Sequence, residues 1–203
     1  MVYSVVIAIL VSYLLGNLNG AVCISALMHD DVRSHGSGNA GLTNFIRNYG
    51  AGRALYVILI DAGKAYLACL CSGLLLQPHG FGLEGVMLGG VAVMLGHDFP
   101  ALLGFKGGKG ILSGLFVALA LDWRIAVLLV VVFFAAYLAT QYVSLGSVLG
   151  CIGFGVGCVI WHHDNLFVMI SGILVAALTV FMHRGNIVRL IKGEERKTNL
   201  FKK

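Results

Sequence analysis

The sequence predicts an all-α protein: a polytopic membrane bundle of about seven transmembrane helices, with the N-terminus outside and the C-terminus cytoplasmic. Three observations carry that expectation. First, 59% of the residues are hydrophobic and only 11% are charged, with a mean hydropathy of +0.92; a soluble globular domain is far more polar. Second, apolar runs of helical length recur along the chain, and about 20 such residues cross about 30 Å of hydrocarbon. Third, the basic residues gather on alternate loops. Only two prolines occur and no low-complexity linker is visible, so residues 1–203 read as a single integral-membrane domain.

In chain order the expected spans are 3–28, 52–77, 84–103, 111–121, 125–141, 146–161 and 165–182. The first lacks a basic leader and a small-residue cleavage site and contains Asn17 and Asn19, so it reads as a retained helix rather than a signal peptide. The fourth and sixth are short for a full crossing. Merging the fourth with the fifth would place Asp122 and Arg124 inside one long segment, and seven segments are therefore preferred. Gly146, Gly150, Gly153 and Gly157 have the small-xxx-small spacing that lets helices approach closely. Cys23, Cys69, Cys71, Cys151 and Cys158 all lie in apolar stretches without CxxC spacing, which speaks for packing rather than a disulfide or a metal.

Orientation follows from basic charge. With the N-terminus outside, the inner side receives Arg33, Arg47, Arg53, Lys106, Lys109, Arg184, Arg189, Lys192, Arg196, Lys197, Lys202 and Lys203. Only Arg124 falls outside, and Lys64 lies within a span. The same topology sets three polar islands, 33–47, 104–110 and 183–197, on the cytoplasmic face, where they are expected to form one site.

The first island reads Arg33-Ser34-His35-Gly36-Ser37-Gly38-Asn39-Ala40-Gly41-Leu42-Thr43-Asn44-Phe45-Ile46-Arg47. Its glycines free backbone N–H groups, its Ser, Thr and Asn side chains add uncharged donors, and its arginines add fixed positive charge, a combination suited to phosphate. The second island, Gly104-Phe105-Lys106-Gly107-Gly108-Lys109-Gly110, lacks the GxxxxGK[ST] spacing of a nucleotide loop. It keeps the physics of a glycine turn and a lysine opening a helix against an anion. In the third, Arg189, Lys192 and the tail suit an interfacial helix on an anionic leaflet. His183 and Asn186, one helical turn apart, are left over from that account. Inside the membrane, Asp61 and Lys64 are either a mutually neutralising pair or part of the site. His97-Asp98 suits a structural polar contact better than catalysis.

These motifs resemble the three signature motifs of the bacterial membrane acyl-phosphate-dependent glycerol-3-phosphate acyltransferases. The matching residues are Ser37-Gly38-Asn39-x-Gly41-x-Thr43-Asn44-x-x-Arg47; then Gly96-His97-x-Phe99-Pro100 with Phe105-Lys106-Gly107-Gly108-Lys109-Gly110; then His183-Arg184-x-Asn186-Ile187-x-Arg189-Leu190. The resemblance implies acyl transfer from acyl phosphate to the 1-hydroxyl of glycerol 3-phosphate. The products are lysophosphatidic acid and phosphate, in the first acylation of phospholipid biosynthesis. It implies a bacterial plasma-membrane location with the site facing the cytoplasm, no cofactor or metal, no nucleic-acid partner, and coupling to a soluble enzyme that forms the acyl phosphate. Carried over by motif, Ser37, Asn39, Thr43, Asn44, Arg47, Gly107, Gly108, Lys109, His183 and Asn186 bind substrate phosphates, with Ser144 as a further polar position. A substrate phosphate, His183 or Asp61 accepts the hydroxyl proton. The chain departs from the family at Gly16-Asn17-Leu18-Asn19-Gly20, where a proline is usual, at Ile111-Leu112-Ser113, where Val-Ala-Thr is usual, and at Ala65, where glycine is common.

Two other classes compete. A membrane carrier for phosphate or a phosphate ester would share the basic islands and broken helices, but it needs a polar path to the outer face. The outer loops at Pro78-His79-Gly80, Asp122-Trp123-Arg124 and His162-His163-Asp164-Asn165 carry no comparable motif. A structural lipid-binding protein is the third class.

Overall fold

A computed structural model describes residues 1–198, and among these every regular element is helical. Lys202 and Lys203, counted above toward the inner side, lie outside the described residues. The chain forms two compact units, one of Met1–Leu121 and a second beginning at Asp122.

The first unit opens with α1 (Val2–Asn17), which breaks at Leu18-Asn19 and resumes as α2 (Gly20–Ala26) after a 46° bend. A loop leads to the short α3 (Leu42–Tyr49), followed by α4 (Ala54–Leu76), α5 (Gly82–Asp98) and α6 (Ile111–Leu121). Helix α4 turns Leu55, Leu59, Leu67 and Leu74 outward, while Asp61, Lys64 and Ser72 are buried. That polar-in, apolar-out pattern is the one lipid demands. Helices α1 and α5 meet where Gly16 and Gly96 face each other; a β-carbon at 16 would lie 2.7 Å from the Gly96 Cα, so neither position has room for a side chain.

A helix broken in an apolar bundle leaves backbone groups without partners. The acid and base of α4 take them up. Lys64 Nζ donates to Leu18 O at 2.6 Å, to Gly16 O at 3.3 Å and to Asp61 Oδ1 at 2.8 Å. Asp61 Oδ1 in turn accepts from Gly20 N at 3.0 Å. Asn19 caps α2 by accepting from Val22 N, and its amide donates to Ala40 O at 2.9 Å, which ties the break to the first polar island.

The second unit contains α7 (Trp123–Thr140), α8 (Val143–Trp161), α9 (Leu166–Met182) and α10 (Arg184–Ile191), the last bent by 59° from α9. Asp122 caps α7 by accepting from Arg124 N, the reason the chain starts a new helix there. Gly146 and Gly150 let α8 lie against the Phe133 and Leu129 carbonyls of α7, and Gly155 faces Ala176 of α9, so the glycine run is packing.

Among the described residues, four helices are long and apolar enough to cross a membrane, and the number reaches six if each bent pair is one span, against the seven expected. The expected fourth span is only the 11 residues of α6, about 16 Å at 1.5 Å per residue. The expected sixth span proves full-length, because α8 begins at Val143 and takes in the polar Ser144.

Lys64→Met should destabilise the purified protein by about 3–5 kcal/mol, since it strands a buried carboxylate. The double variant Asp61→Leu/Lys64→Met should recover only part of that, because Gly20 N and Leu18 O still lack partners. Thermal unfolding in detergent measures both.

Candidate functional site

The first island is a loop organised from within. Asn44, buried on α3, accepts from Ser37 N at 3.0 Å and donates to the Val32, His35 and Asn39 carbonyls at 3.0, 3.0 and 3.1 Å. Its amide thus organises the loop that carries Ser37 and Asn39. Beneath the loop, Ala21, Val32, Phe45, Ala54 and Val57 form a closed apolar cluster. Asp31, at the loop's start, is held below the usual carboxylate range by the Arg33 guanidinium, against the upward push of burial. Beside it, burial and the Asp30 carboxylate push the Tyr49 hydroxyl up to about 12. Ser37 and Arg47 are exposed on this scaffold, and Asn39 and Thr43 are half-buried.

The first and second islands meet. Arg33 Nη1 donates to Leu103 O at 3.3 Å and to Lys106 O at 3.4 Å while its other nitrogens grip Asp31. A β-carbon on Gly108 would sit 2.9 Å from Ala40 O, and one on Gly107 would strike His97 O. Gly108 N donates to that same His97 carbonyl at 3.1 Å. Both glycines are therefore required by close approach, and the loop delivers a half-buried Lys109 to the start of α6. The sequence expectation that these two islands come together holds within the first unit.

Asp61 does not face this loop as a free base. Its side chain is 3% exposed and paired with the Lys64 ammonium. Its Oδ1 accepts from both Lys64 Nζ and Gly20 N, which ties it to the helix break.

In the second unit the third island is organised around Glu195, which the sequence reading passed over as tail charge. Glu195 Oε1 accepts from Ser144 Oγ at 2.8 Å and from Asn186 Nδ2 at 2.7 Å; Oε2 accepts from Arg189 Nε at 2.7 Å. Burial pushes the Glu195 carboxyl up, but these hydrogen bonds outweigh it and leave the group below its ordinary value. Arg189 was expected to belong to the membrane-facing tail; it is instead tied to the same carboxylate as Ser144 and Asn186. His183, at the α9–α10 junction, is 3% exposed and its Nδ1 donates to Thr179 O at 2.8 Å. The tail is pinned by Tyr137 Oη donating to Thr198 O at 2.9 Å. The signal that could have found Glu195 is an acid in an otherwise basic segment, just past the end of α10, where the chain can fold back on Asn186 and Arg189.

A family model described as glycerol-3-phosphate acyltransferase matches residues 6–193. The glycerol-3-phosphate acyltransferase of Finegoldia magna is 39% identical over 199 residues, covering 96% of each chain. That of Clostridioides difficile is 35% identical over 206 residues, covering 97% of this chain and 96% of its own. The fold superposes on the crystal structure of PlsY (YgiH), an integral membrane glycerol 3-phosphate acyltransferase, in its glycerol 3-phosphate form. There the TM-score is 0.88 and the identity 31%, over 98% of this chain and 100% of that one. With the lysophosphatidic acid form of PlsY the TM-score is 0.85 at 30% identity, over 97% of this chain and 96% of that one.

The Glu195 network should respond to acid. The folded carboxyl titrates below its ordinary 4.5, so its stabilisation is complete above that value and is lost as pH falls through the lower, folded one. Glu195→Gln should therefore lower the thermal midpoint at neutral pH and flatten its acid dependence below about pH 5 relative to the unsubstituted protein. Parallel acid limbs in the two proteins would show that Glu195 is not the responsible group.

Proposed function

Because the chain belongs to the glycerol-3-phosphate acyltransferase family, we propose that it transfers a fatty acyl group from acyl phosphate to the 1-hydroxyl of glycerol 3-phosphate. The hydroxyl oxygen bonds to the acyl carbonyl carbon, the bond from that carbon to the phosphate oxygen breaks, and lysophosphatidic acid and inorganic phosphate leave. The hydroxyl proton passes to a phosphate oxygen, directly or through His183. Acyl phosphate is a mixed anhydride with a good leaving group, so a strong enzymic base is not required. What the reaction needs is two anions held side by side with the hydroxyl about 3 Å from the carbonyl.

The observation that carries this reading is the junction of the first two islands, where Arg33 clasps the lysine loop and Ala40 lies against Gly108. The two islands that meet there supply N–H groups, hydroxyls and fixed cations suited to phosphate. Arg47 and Lys109 neutralise phosphate charge there, helped by Ser37, Asn39, Thr43 and the backbone of Gly107, while Gly108, whose N–H bonds the His97 carbonyl, enters through its motif and its lack of a side chain. His183, Asn186 and Ser144 enter the reading through their motif. The acyl chain stays among apolar helices. The charge pattern supports an outside N-terminus and a cytoplasmic face for the islands, where a soluble enzyme supplies the acyl phosphate.

Purified protein in detergent, given acyl phosphate and labelled glycerol 3-phosphate, should form lysophosphatidic acid without coenzyme A, metal or nucleotide. Turnover with acyl-CoA and none with acyl phosphate would refute the donor. Losing one partner of a desolvated charged contact costs about 2–5 kcal/mol, so Arg47→Ala or Lys109→Ala should lower kcat/KM on the order of 30- to 3,000-fold. Single cysteines at positions 40, 107 and 195 of a cysteine-free chain should resist a membrane-impermeant thiol reagent in intact cells; labelling of any one from outside contradicts the orientation.

A further inference from the structure

His97 closes the last turn of α5 beneath the lysine loop, 4% exposed. Its ring Nδ1 lies 2.8 Å from Lys64 Nζ. An ammonium only donates, so Nδ1 accepts in this contact and the ring proton sits on Nε2. Nε2 points at the backbone of Gly108, so closely that a β-carbon there would collide with it, beside the Ala40 carbonyl where the first two islands meet. Among the described residues, nothing accepts a hydrogen bond from that N–H. An N–H that no neighbouring group takes up is free to donate to a ligand. This one stands in a loop whose other assets, glycine N–H groups and Lys109, suit an oxyanion.

We propose that His97 Nε2–H donates a hydrogen bond to a substrate phosphate oxygen held in the lysine loop, and that Lys64 is a positioning residue that fixes the ring in the tautomer able to do so. The proposal rests on the reading of that loop as a phosphate cradle. Its logic is one of sign. With Lys64 in place the ring offers a proton to the anion. Without it, the nearest group to Nδ1 is Asp61 Oδ1 at 3.7 Å, which would draw the proton to Nδ1 and turn the Nε2 lone pair toward the phosphate. Asp61 thus makes the tautomer depend on Lys64, and the same ammonium that seals the helix break prepares the anion site.

The test uses two replacements that divide the ring's functions. His97→Asn keeps an acceptor for Lys64 and loses the donor at Gly108. His97→Gln reaches the Nε2 position with an amide N–H. In detergent, His97→Asn should raise the KM for glycerol 3-phosphate and the inhibition constant of inorganic phosphate roughly ten- to a hundredfold, the worth of a hydrogen bond to a charged group. Its thermal midpoint should stay near that of the unsubstituted protein, and His97→Gln should recover much of the affinity. If His97→Asn binds phosphate within twofold of the unsubstituted protein while Lys109→Ala does not, the His97 proposal falls and the cradle stands. If Lys109→Ala is also without effect, the cradle itself falls. A measurement on the unsubstituted protein guards against variants that fail to fold. With 15N-labelled histidine, the His97 ring, assigned by its contacts to Gly108 and Lys64, should show the Nε2–H tautomer and shift as inorganic phosphate is added. An Nδ1–H tautomer, or no shift at saturating phosphate, overturns the proposal.

Discussion

The Lys64 ammonium sits where a membrane helix has been interrupted, and the arrangement of the first unit depends on that contact. Water is not available in hydrocarbon to solvate the carbonyls of Gly16 and Leu18 or the amide of Gly20. An ammonium and a carboxylate three residues apart on α4 replace it, and each neutralises the other. The break can then exist, and the chain can turn at Asn19 and hand a side-chain amide to Ala40. The first polar loop is thereby anchored to a point deep in the bundle. A charged pair that would be expensive alone becomes tolerable because the two groups neutralise each other and also answer backbone groups left by the break.

The polar islands follow a shared rule. In each, one side chain able to make several hydrogen bonds at once gathers the backbone or its neighbours, and the anion-binding candidates are carried on the result. Asn44 does this for the first loop, through one accepted and three donated bonds to the main chain. Arg33 does it between the first and second islands, with its guanidinium divided between Asp31 and two carbonyls of the lysine loop. Glu195 does it in the second unit, for Ser144, Asn186 and Arg189. Binding groups held this way are oriented before a ligand arrives, which reduces the ordering cost of binding.

Glycine serves the site through proximity more than flexibility. Gly16 and Gly96 bring α1 against α5, and Gly107 and Gly108 bring the lysine loop down onto His97. A methyl group at any of these positions would separate surfaces whose contact places Lys64 under His97 and His97 under the loop. The packing of the transmembrane helices and the geometry of the candidate anion site are in this sense one problem.

The sequence by itself determined the membrane class, the helical segments and the three islands, because hydropathy, helical length and glycine-basic composition are local quantities. It also determined the family, since the motifs are long and ordered. It left the limits of α8 short, because Ser144 looks like a helix end until a buried carboxylate is found to satisfy it. It did not show that the Asn44 amide bonds the main chain of its own loop or that Arg189 meets Glu195, because composition says what a side chain can bond and not which partner reaches it. It could not choose between a structural and a functional Asp61, or see what Glu195 and His97 touch. Only the tertiary structure supplied their partners, each brought from a distant part of the chain: Gly20 to Asp61, Ser144 to Glu195, Lys64 and Gly108 to His97. In a chain this apolar the few polar groups must find one another, and which ones meet is set by helix packing rather than by residue type.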